Sequence, residues 1–319
     1  MLLGVTELYI MTKLISVICP ARNETDSVHI LADAIRQIRQ ETFNNFGDEI
    51  TLEFIIVDNA SNDDTLEKVQ LKLLNDPKIK IIKHVRNLGL QNSILTGLRH
   101  SAGDAAIVLQ FDLQDPPELI QEMLRRWKAG ELYIVTQIKK RNSGFVDSLS
   151  RRLGYVFVNL VAGVKVLSNS GDFWLIDRRI VNQINSFEVV RPFFRTLIPS
   201  LIPASSVIYY DRNPRVKGKS NFNFIGKYEF FLDAILSDIR RISLLTFILC
   251  GISISVAFIL LILRLIGLSI PLVTVIVLGL TSIFFFLQGI IVEIVWRIYS
   301  DSPLKFDTFA RNIKVIRES

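Results

Sequence analysis

The sequence predicts an α/β domain on a largely parallel, sandwiched sheet, followed by a hairpin of two membrane-spanning helices. Three observations predict it. Apolar runs of strand length alternate with helical patterns four times in the first 130 residues or so. Polar clusters follow those runs, and charge almost disappears over two long stretches after Ser243. The 319 residues are 50% hydrophobic with mean hydropathy +0.36, too apolar for an ordinary soluble domain and long enough for one large domain plus a further element.

The first run, 14–19, ends at Pro20, and Val28, Leu31, Ala32, Ile35 and Ile38 then follow at helical spacing. The pattern repeats as 53–57 before Leu66, Val69 and Leu73, as 79–82 before Ile94, Leu95 and Leu98, and as 105–111 before 119–127. In such sheets ligands gather where strand ends meet helix N-termini. Ala21-Arg22-Asn23-Glu24 follows the first run, 58–65 the second, and Asp112-Leu113-Gln114-Asp115-Pro116-Pro117-Glu118 the fourth. No internal repeat or low-complexity stretch interrupts the series. Residues 1–12 read as an N-terminal extension; Glu7 and the absence of a basic start argue against a secretory signal, and Met11 is an alternative start.

The stretches 243–263 and 270–296 are each long enough to span a bilayer, the first rising roughly 31 Å as a helix against a hydrocarbon core of about 30 Å. A pair of buried core helices would be shorter and carry a polar stripe. Only 264–269 separates the two, so they form a hairpin with both outer ends on one side. Arg240, Arg241, Arg297, Lys305 and Arg311 flank it against Arg264 in the turn, which places the domain, both termini and the tail 297–319 in the cytoplasm of a multi-pass inner-membrane protein. Cys19 in a strand and Cys250 in the membrane leave no pair to bridge, in keeping with a reducing compartment. The net charge of +6 suits a surface against anionic lipid, though so modest a basic excess does not by itself imply a ligand, and no nucleic-acid partner is expected. Phe224, Tyr228, Phe231, Ile235 and Ile239 recur at spacings of four and three, marking 222–241 as an amphipathic interfacial helix, with an ordinary core helix as the alternative.

Within the domain assigned to 13–221, Asp112 and Gln114 alternate at an apolar strand end, where a carboxylate and an amide oxygen can converge on Mg2+ or Mn2+ while Leu113 turns inward. Asp115-Pro116-Pro117-Glu118 reads instead as a helix start, with Asp115 as cap and Glu118 completing a box. Asp58 also ends a strand, where it can take the donors of a base or ribose or simply build a turn. Asn62, Asp63 and Asp64 suit turn and cap roles. Arg86-Asn87-Leu88-Gly89 is a loop whose arginine is free to meet phosphate or water. Asp172 orients a sugar or acceptor, or builds a turn. His29, His84 and His100 lack ligand spacing and read as surface or satisfied, partly buried residues.

Taken in order, Pro20-Ala21-Arg22-Asn23-Glu24, Val57-Asp58-Asn59-Ala60-Ser61-Asn62-Asp63, Arg86-Asn87-Leu88-Gly89 and Asp112-Leu113-Gln114-Asp115-Pro116-Pro117-Glu118 resemble the family-two glycosyltransferases of GT-A (Rossmann-like) fold. More narrowly the chain is similar to polyprenyl-phosphate glycosyltransferases related to bactoprenol glucosyltransferases and dolichol-phosphate mannose synthase. The segments 171–178 and 215–220, and the hairpin before Arg297-Ile298-Tyr299, fit that subgroup in order. The resemblance implies Pro20, Glu24, Asp58 and Leu113 around the nucleotide, and Asp112 with Gln114 at the metal. It also implies phosphate contacts from Arg141, Arg215 and Lys219, and catalytic roles for Asp112, Asp172 and Arg215. Arg22 stands where the family usually has Tyr, Asn59-Ala60 replaces the commoner Asp-Gly, and the expected Arg-Pro after Tyr299 is missing.

The implied reaction is inverting transfer of a hexose from a nucleotide diphosphate sugar, UDP-glucose or similar, to polyprenyl phosphate, for cell-envelope glycan synthesis or modification. A phosphate acceptor is already ionised near neutral pH and needs screening more than a general base. Arg215, Lys217 and Lys219 supply positive charge just before the interfacial helix. The rival enzyme is a processive polysaccharide synthase, but Gln121 to Trp127 does not match its Gln-x-x-Arg-Trp. The rival outside catalysis is a sugar-nucleotide-binding membrane module, which would lack Asp112 or the basic loop. The two-helix anchor leaves room for a homo-oligomer.

Overall fold

The computed structural model describes residues 12–139, 167, 170–186, 192–213, 239–301 and 313–317. The extension 1–11, most of the expected interfacial helix, and Arg141, Arg215, Lys217, Lys219, Lys305 and Arg311 lie outside them. The chain forms two compact units, one carrying the sheet and one carrying the apolar helices.

The sheet unit begins with β1 (Lys13–Ala21), α1 (Val28–Phe46), β2 (Ile50–Asp58), α2 (Thr65–Leu73), β3 (Ile79–His84), α3 (Leu90–Arg99), β4 (Ala105–Val108) and α4 (Leu119–Lys128). It continues with β5 (Tyr133–Ile138), β6 (Ser170–Asp177), α5 (Arg178–Ser186), α6 (Phe194–Leu201) and β7 (Ser206–Tyr210). After the hairpin, β8 (Ile313–Arg317) joins the same eight-stranded sheet, in the order β7-β5-β6-β4-β1-β2-β3-β8. The expected parallel core is present in β1, β2, β3 and β4, and β5 pairs parallel with β7. Only β6 and β8 run antiparallel to their neighbours.

Strand alternation divides the core into two layers. Ile15, Val17 and Cys19 of β1 pack with α1, α2 and α4 through residues such as Leu31, Ile35, Val69 and Met123. Ile18, Ile55 and Val57 face the other way, toward Ile94 and Leu98 of α3, Ile180 and Ile184 of α5, and Phe194 of α6. On that face α3 lies so close to β1 that a Cβ on Gly97 would sit 2.3 Å from Ile18 Cγ2. The packing therefore needs glycine.

Two expectations change. The strand read as 105–111 stops at Val108, because Leu113 N–H turns back to Gln110 O (3.1 Å) and removes 110–113 from the pleat. The segment read as a tail, 297–319, contains the end of a helix and β8, whose backbone pairs with β3 at the sheet edge.

The second unit holds α7 (Ile239–Leu265) and α8 (Leu272–Asp301). Within them Ile242–Leu265 and Leu272–Val295, 24 residues each, are long and apolar enough to cross a membrane, and few of their residues are buried in the chain. They are joined as a hairpin by small and polar contacts. Ser253 Oγ donates to Leu278 O (2.9 Å) and meets Thr281 Oγ1 (3.0 Å), while Ser243 Oγ donates to Glu293 (3.2 Å). A Cβ on Gly289 would press on Thr246 and Phe247. Close backbone approach of this kind is how helices associate where lipid offers no hydrophobic contrast.

Candidate active site at one edge of the sheet

Because β1 to β5 and β7 point the same way, their C-terminal ends share one edge, and antiparallel β6 brings its first residues there too. Every described candidate residue lies along this edge. Pro20 is buried near the end of β1, and Asp58, 1% exposed, ends β2 with its carboxylate accepting from Ser61 N–H (3.3 Å). Glu24, half-buried, receives the Ser27 hydroxyl on its carboxylate (3.0 Å) and gives its N–H to Thr65 Oγ1 (2.8 Å). Asp63 accepts from the N–H and hydroxyl of Thr65, a turn contact just ahead of α2, whose N-cap, Asp64, makes no side-chain cap bond.

The residue that departs from the family pattern, Asn59, ties three strand ends together. Its N–H donates to Ala21 O (2.8 Å), its Nδ2 to Asn87 Oδ1 (2.7 Å), and its Oδ1 accepts from Leu88 N–H (2.8 Å). His84 Nδ1 meets the same Oδ1 at 3.1 Å, and its Nε2 pairs with the Thr96 hydroxyl at 2.9 Å. His84 is thus a satisfied histidine, but fully buried, and burial pushes its pKa down to about 4. The loop 86–89 is fixed by this network.

Among the described residues three non-glycine residues adopt positive φ, Asn23 (53°), Ala60 (53°) and Leu113 (48°), each following a strand at this edge. Such backbone is costly for Ala and Leu and persists only where surrounding contacts hold it. Ala60 takes the conformation that glycine would occupy in the commoner Asp-Gly pair.

Asp112 sits half-buried in the turn, not on a strand, with Oδ1 accepting from Gln114 N–H (3.3 Å). Leu113 is buried, as expected. Asp115 is not the helix cap: α4 begins at Leu119, directly after Glu118, no side chain caps it, and its first N–H groups, of Leu119 and Ile120, donate to Pro116 O (3.2 Å) and Pro117 O (3.1 Å). Instead Asp115, 1% exposed, receives Tyr210 OH on Oδ1 (2.5 Å) and faces Arg212 Nε at 3.3 Å. Nor is Asp172 a turn residue. It is the third residue of β6, 5% exposed, and Arg195 of α6 grips it with two bonds of 3.2 Å.

These carboxylates feel one another. Burial raises the Asp115 pKa, Asp112 and Asp172 raise it further, and Arg212 and Tyr210 oppose the shift. Burial and the Asp115 charge raise the Tyr210 phenol, and burial with Asp172 does the same at Tyr133. Arg195, Arg212 and Tyr210 are absent from the sequence reading. Only the fold brings them to Asp172 and Asp115, and no local motif marks them.

A divalent cation is tested by this chemistry. Asp115 and Asp172 each hold an arginine, and Asp112 adds a third carboxylate, accessible to water, on a turn with Gln114. Hard oxygen donors gathered at one strand edge fit Mg2+ or Mn2+. Among the described residues no three His, Cys, Asp or Glu side chains are grouped to hold a metal by themselves. A cleft of about 310 Å³ lies elsewhere, lined by Arg39, Thr42, Ile50 and Lys78 near the start of β2, and its Arg39 is bridged to Asp76. None of the candidate residues lines it.

Known proteins carry the same pattern. Residues 16–184 match the model of glycosyl transferase family 2. An uncharacterized glycosyltransferase of Synechocystis is 29% identical over 228 residues, covering 71% of this chain and 70% of that one. The bactoprenol glucosyl transferase of Shigella phage SfX is 26% identical over 224 residues, covering 70% and 72%. The solved structure of glucosyl-3-phosphoglycerate synthase from Mycobacterium tuberculosis superposes with a TM-score of 0.50 at 16% identity, over 70% of this chain and 80% of that one, and shares the fold. With its GT-A sheet, its strand-end carboxylates and a family match over more than half its length, this chain is a glycosyltransferase and belongs to family 2.

Proposed function

We propose that the enzyme moves a hexose from a nucleotide diphosphate sugar to a polyprenyl phosphate, with inversion at the anomeric carbon. The observation that carries this reading is the union, in one chain, of a family 2 domain and a two-helix apolar hairpin, which suits a soluble donor and a lipid-borne acceptor. The similarity to bactoprenol glucosyl transferases supports the same acceptor class.

In this reading Pro20, Glu24, Asp58 and Leu113 surround the nucleotide, and Asp112 with Gln114 holds Mg2+ or Mn2+. When bound, the ion supplies positive charge that screens the diphosphate and stabilises its departure. Asp172, oriented by the two-pronged Arg195 contact, accepts a hydroxyl of the sugar. The acceptor phosphate, already anionic, bonds through oxygen to the anomeric carbon as the bond from that carbon to the diphosphate oxygen breaks. Arg141, Arg215 and Lys219 offset the repulsion between the two anions. No general base is required.

The test is transfer by the full chain in detergent, with Mg2+ or Mn2+, common nucleotide sugars and undecaprenyl phosphate, read as lipid-linked sugar. Asp112→Ala should lower the rate by roughly 100-fold or more. Full activity in that variant, or no lipid-linked product with any common donor, refutes the reading.

The proposed location is the inner membrane, with the domain and both termini cytoplasmic. The flanking Arg240, Arg241 and Arg297 support it, as does the return of the chain from the hairpin into β8 of the same sheet. A reporter fused after Ser319 should stay inside; a periplasmic signal would overturn the topology.

A further inference from the structure

We infer that Tyr210, Arg212 and Asn213, the chain leaving β7, form a clamp that sets the shape of the 112–115 turn and thereby its affinity for a cation; the metal part of this rests on the reading above. Three contacts converge within four residues. Tyr210 OH donates to Asp115 Oδ1 (2.5 Å), Arg212 Nε faces the same oxygen (3.3 Å), and Asn213 N–H donates to Gln114 O (3.0 Å). Gln114 N–H in turn donates to Asp112 Oδ1 (3.3 Å). A continuous chain of bonds therefore runs from β7 to the carboxylate assigned to the metal.

The turn needs such support. Leu113 lies at φ 48°, a conformation that a branched side chain resists, so the segment between Asp112 and Gln114 does not hold this shape by itself. Asp115 is a buried carboxylate three residues from Asp112, and burying it is unfavourable unless donors reach it. The clamp supplies both donors. Its own base is fixed, because β7 pairs parallel with β5 up to Ile138 and Tyr210, and Lys139 N–H donates to Tyr210 O (2.9 Å). Tyr210 is itself buried, 4% exposed. These are positioning residues: they touch the turn, not the reacting atoms.

The test uses the full chain in detergent micelles with Tyr210→Phe, which keeps the ring and removes the hydroxyl. Trp127→Phe, which loses the Trp127 to Asp177 bond at the opposite end of β6, serves as the control for general loss of stability. Free Mn2+ is titrated by electron paramagnetic resonance with UDP or GDP present, and amide hydrogen exchange is followed at residues 113–115. Tyr210→Phe should weaken Mn2+ binding about tenfold and speed exchange at 113–115 by a similar factor, since it deletes one bond to a charged group. Trp127→Phe should leave both unchanged. Should Tyr210→Phe fail to fold, Asn213→Pro at an exposed position removes the N–H that bonds Gln114 O and should give the same two shifts, with Asn213→Ala, which loses the side chain and keeps the N–H, giving neither. Unaltered exchange at 113–115, or a fall in melting temperature matching the control with Mn2+ binding intact, overturns the clamp. If the wild-type chain binds no Mn2+ with either nucleotide, the metal reading fails, and exchange alone decides the clamp.

Discussion

At the N-terminal side of the sheet, Glu53 is 4% exposed and every contact around it compensates its charge: Lys80 Nζ at 3.1 Å, the Ser16 hydroxyl at 2.5 Å and Ala102 N–H at 2.7 Å. At the C-terminal edge, Asp112, Asp115 and Asp172 crowd together against Arg195 and Arg212, and three residues sit in left-handed backbone. Both regions bury carboxylates in the same sheet. The first closes its hydrogen bonds within itself and locks the start of β4, whereas the second sets three carboxylates within reach of one another beside a strained turn. The difference sets a closed stabilising network against the candidate site, and it can be broken experimentally.

The largest contrast should come from one substitution at each edge. Glu53→Gln leaves Lys80 buried without its partner and should cost about 3 kcal/mol of stability, yet leave kcat/KM of the folded enzyme within roughly twofold. Arg195→Lys keeps the charge but loses the two-pronged grip on Asp172; it should cost less stability and lower kcat/KM by about tenfold or more. Denaturant melts and steady-state transfer measured on the same preparations check both. Equal kinetic damage at the two edges would remove the distinction.

A smaller effect concerns His84, which links the site loops from beneath. Its folded pKa, about 4, lies below the ordinary value of 6.5, so between these limits the unfolded chain takes up a proton that the native state refuses. Its contribution is complete above pH 6.5 and is lost as pH falls toward 4, on the order of 3 kcal/mol for a shift of this size. His84→Gln should start less stable and show a flatter profile through that window. Melting temperatures of both proteins from pH 7 to 4 give the comparison, and parallel profiles would assign the acid sensitivity to other groups.

The smallest expected change is Ala60→Gly, which relieves the left-handed backbone after β2 and should stabilise by about 0.5–1 kcal/mol. A loss of stability would show that the Ala60 methyl contributes packing beyond its strain. Nucleotide affinity measured on the same variant tells whether that strain is maintained for binding.

The strand-and-helix series from Lys13 to Lys128, the two apolar helices and the carboxylates Asp58 and Asp112 were legible because each depends on periodicity or on position after an apolar run. Asp115 was misread for the same reason: Asp-Pro-Pro-Glu satisfies every local rule of a helix start, and nothing local indicates that Tyr210 waits 95 residues away. The β-branched run Ile313-Lys314-Val315-Ile316-Arg317 is a strand signal too short and too irregular to stand out locally, and only its pairing with β3 makes it a strand.

The sequence by itself determined the layers of the fold, the apolar hairpin and which strand ends carry acid, since hydrophobic period and residue type act over a few neighbouring positions. Only the tertiary structure decided which acids are held by which cations. Antiparallel β6 carries Asp172 to the edge where Arg195 meets it, and β7 delivers Tyr210 and Arg212 to Asp115. Charges interact through space at a few ångströms, and the order of strands in a sheet, not distance along the chain, sets who lies within that range.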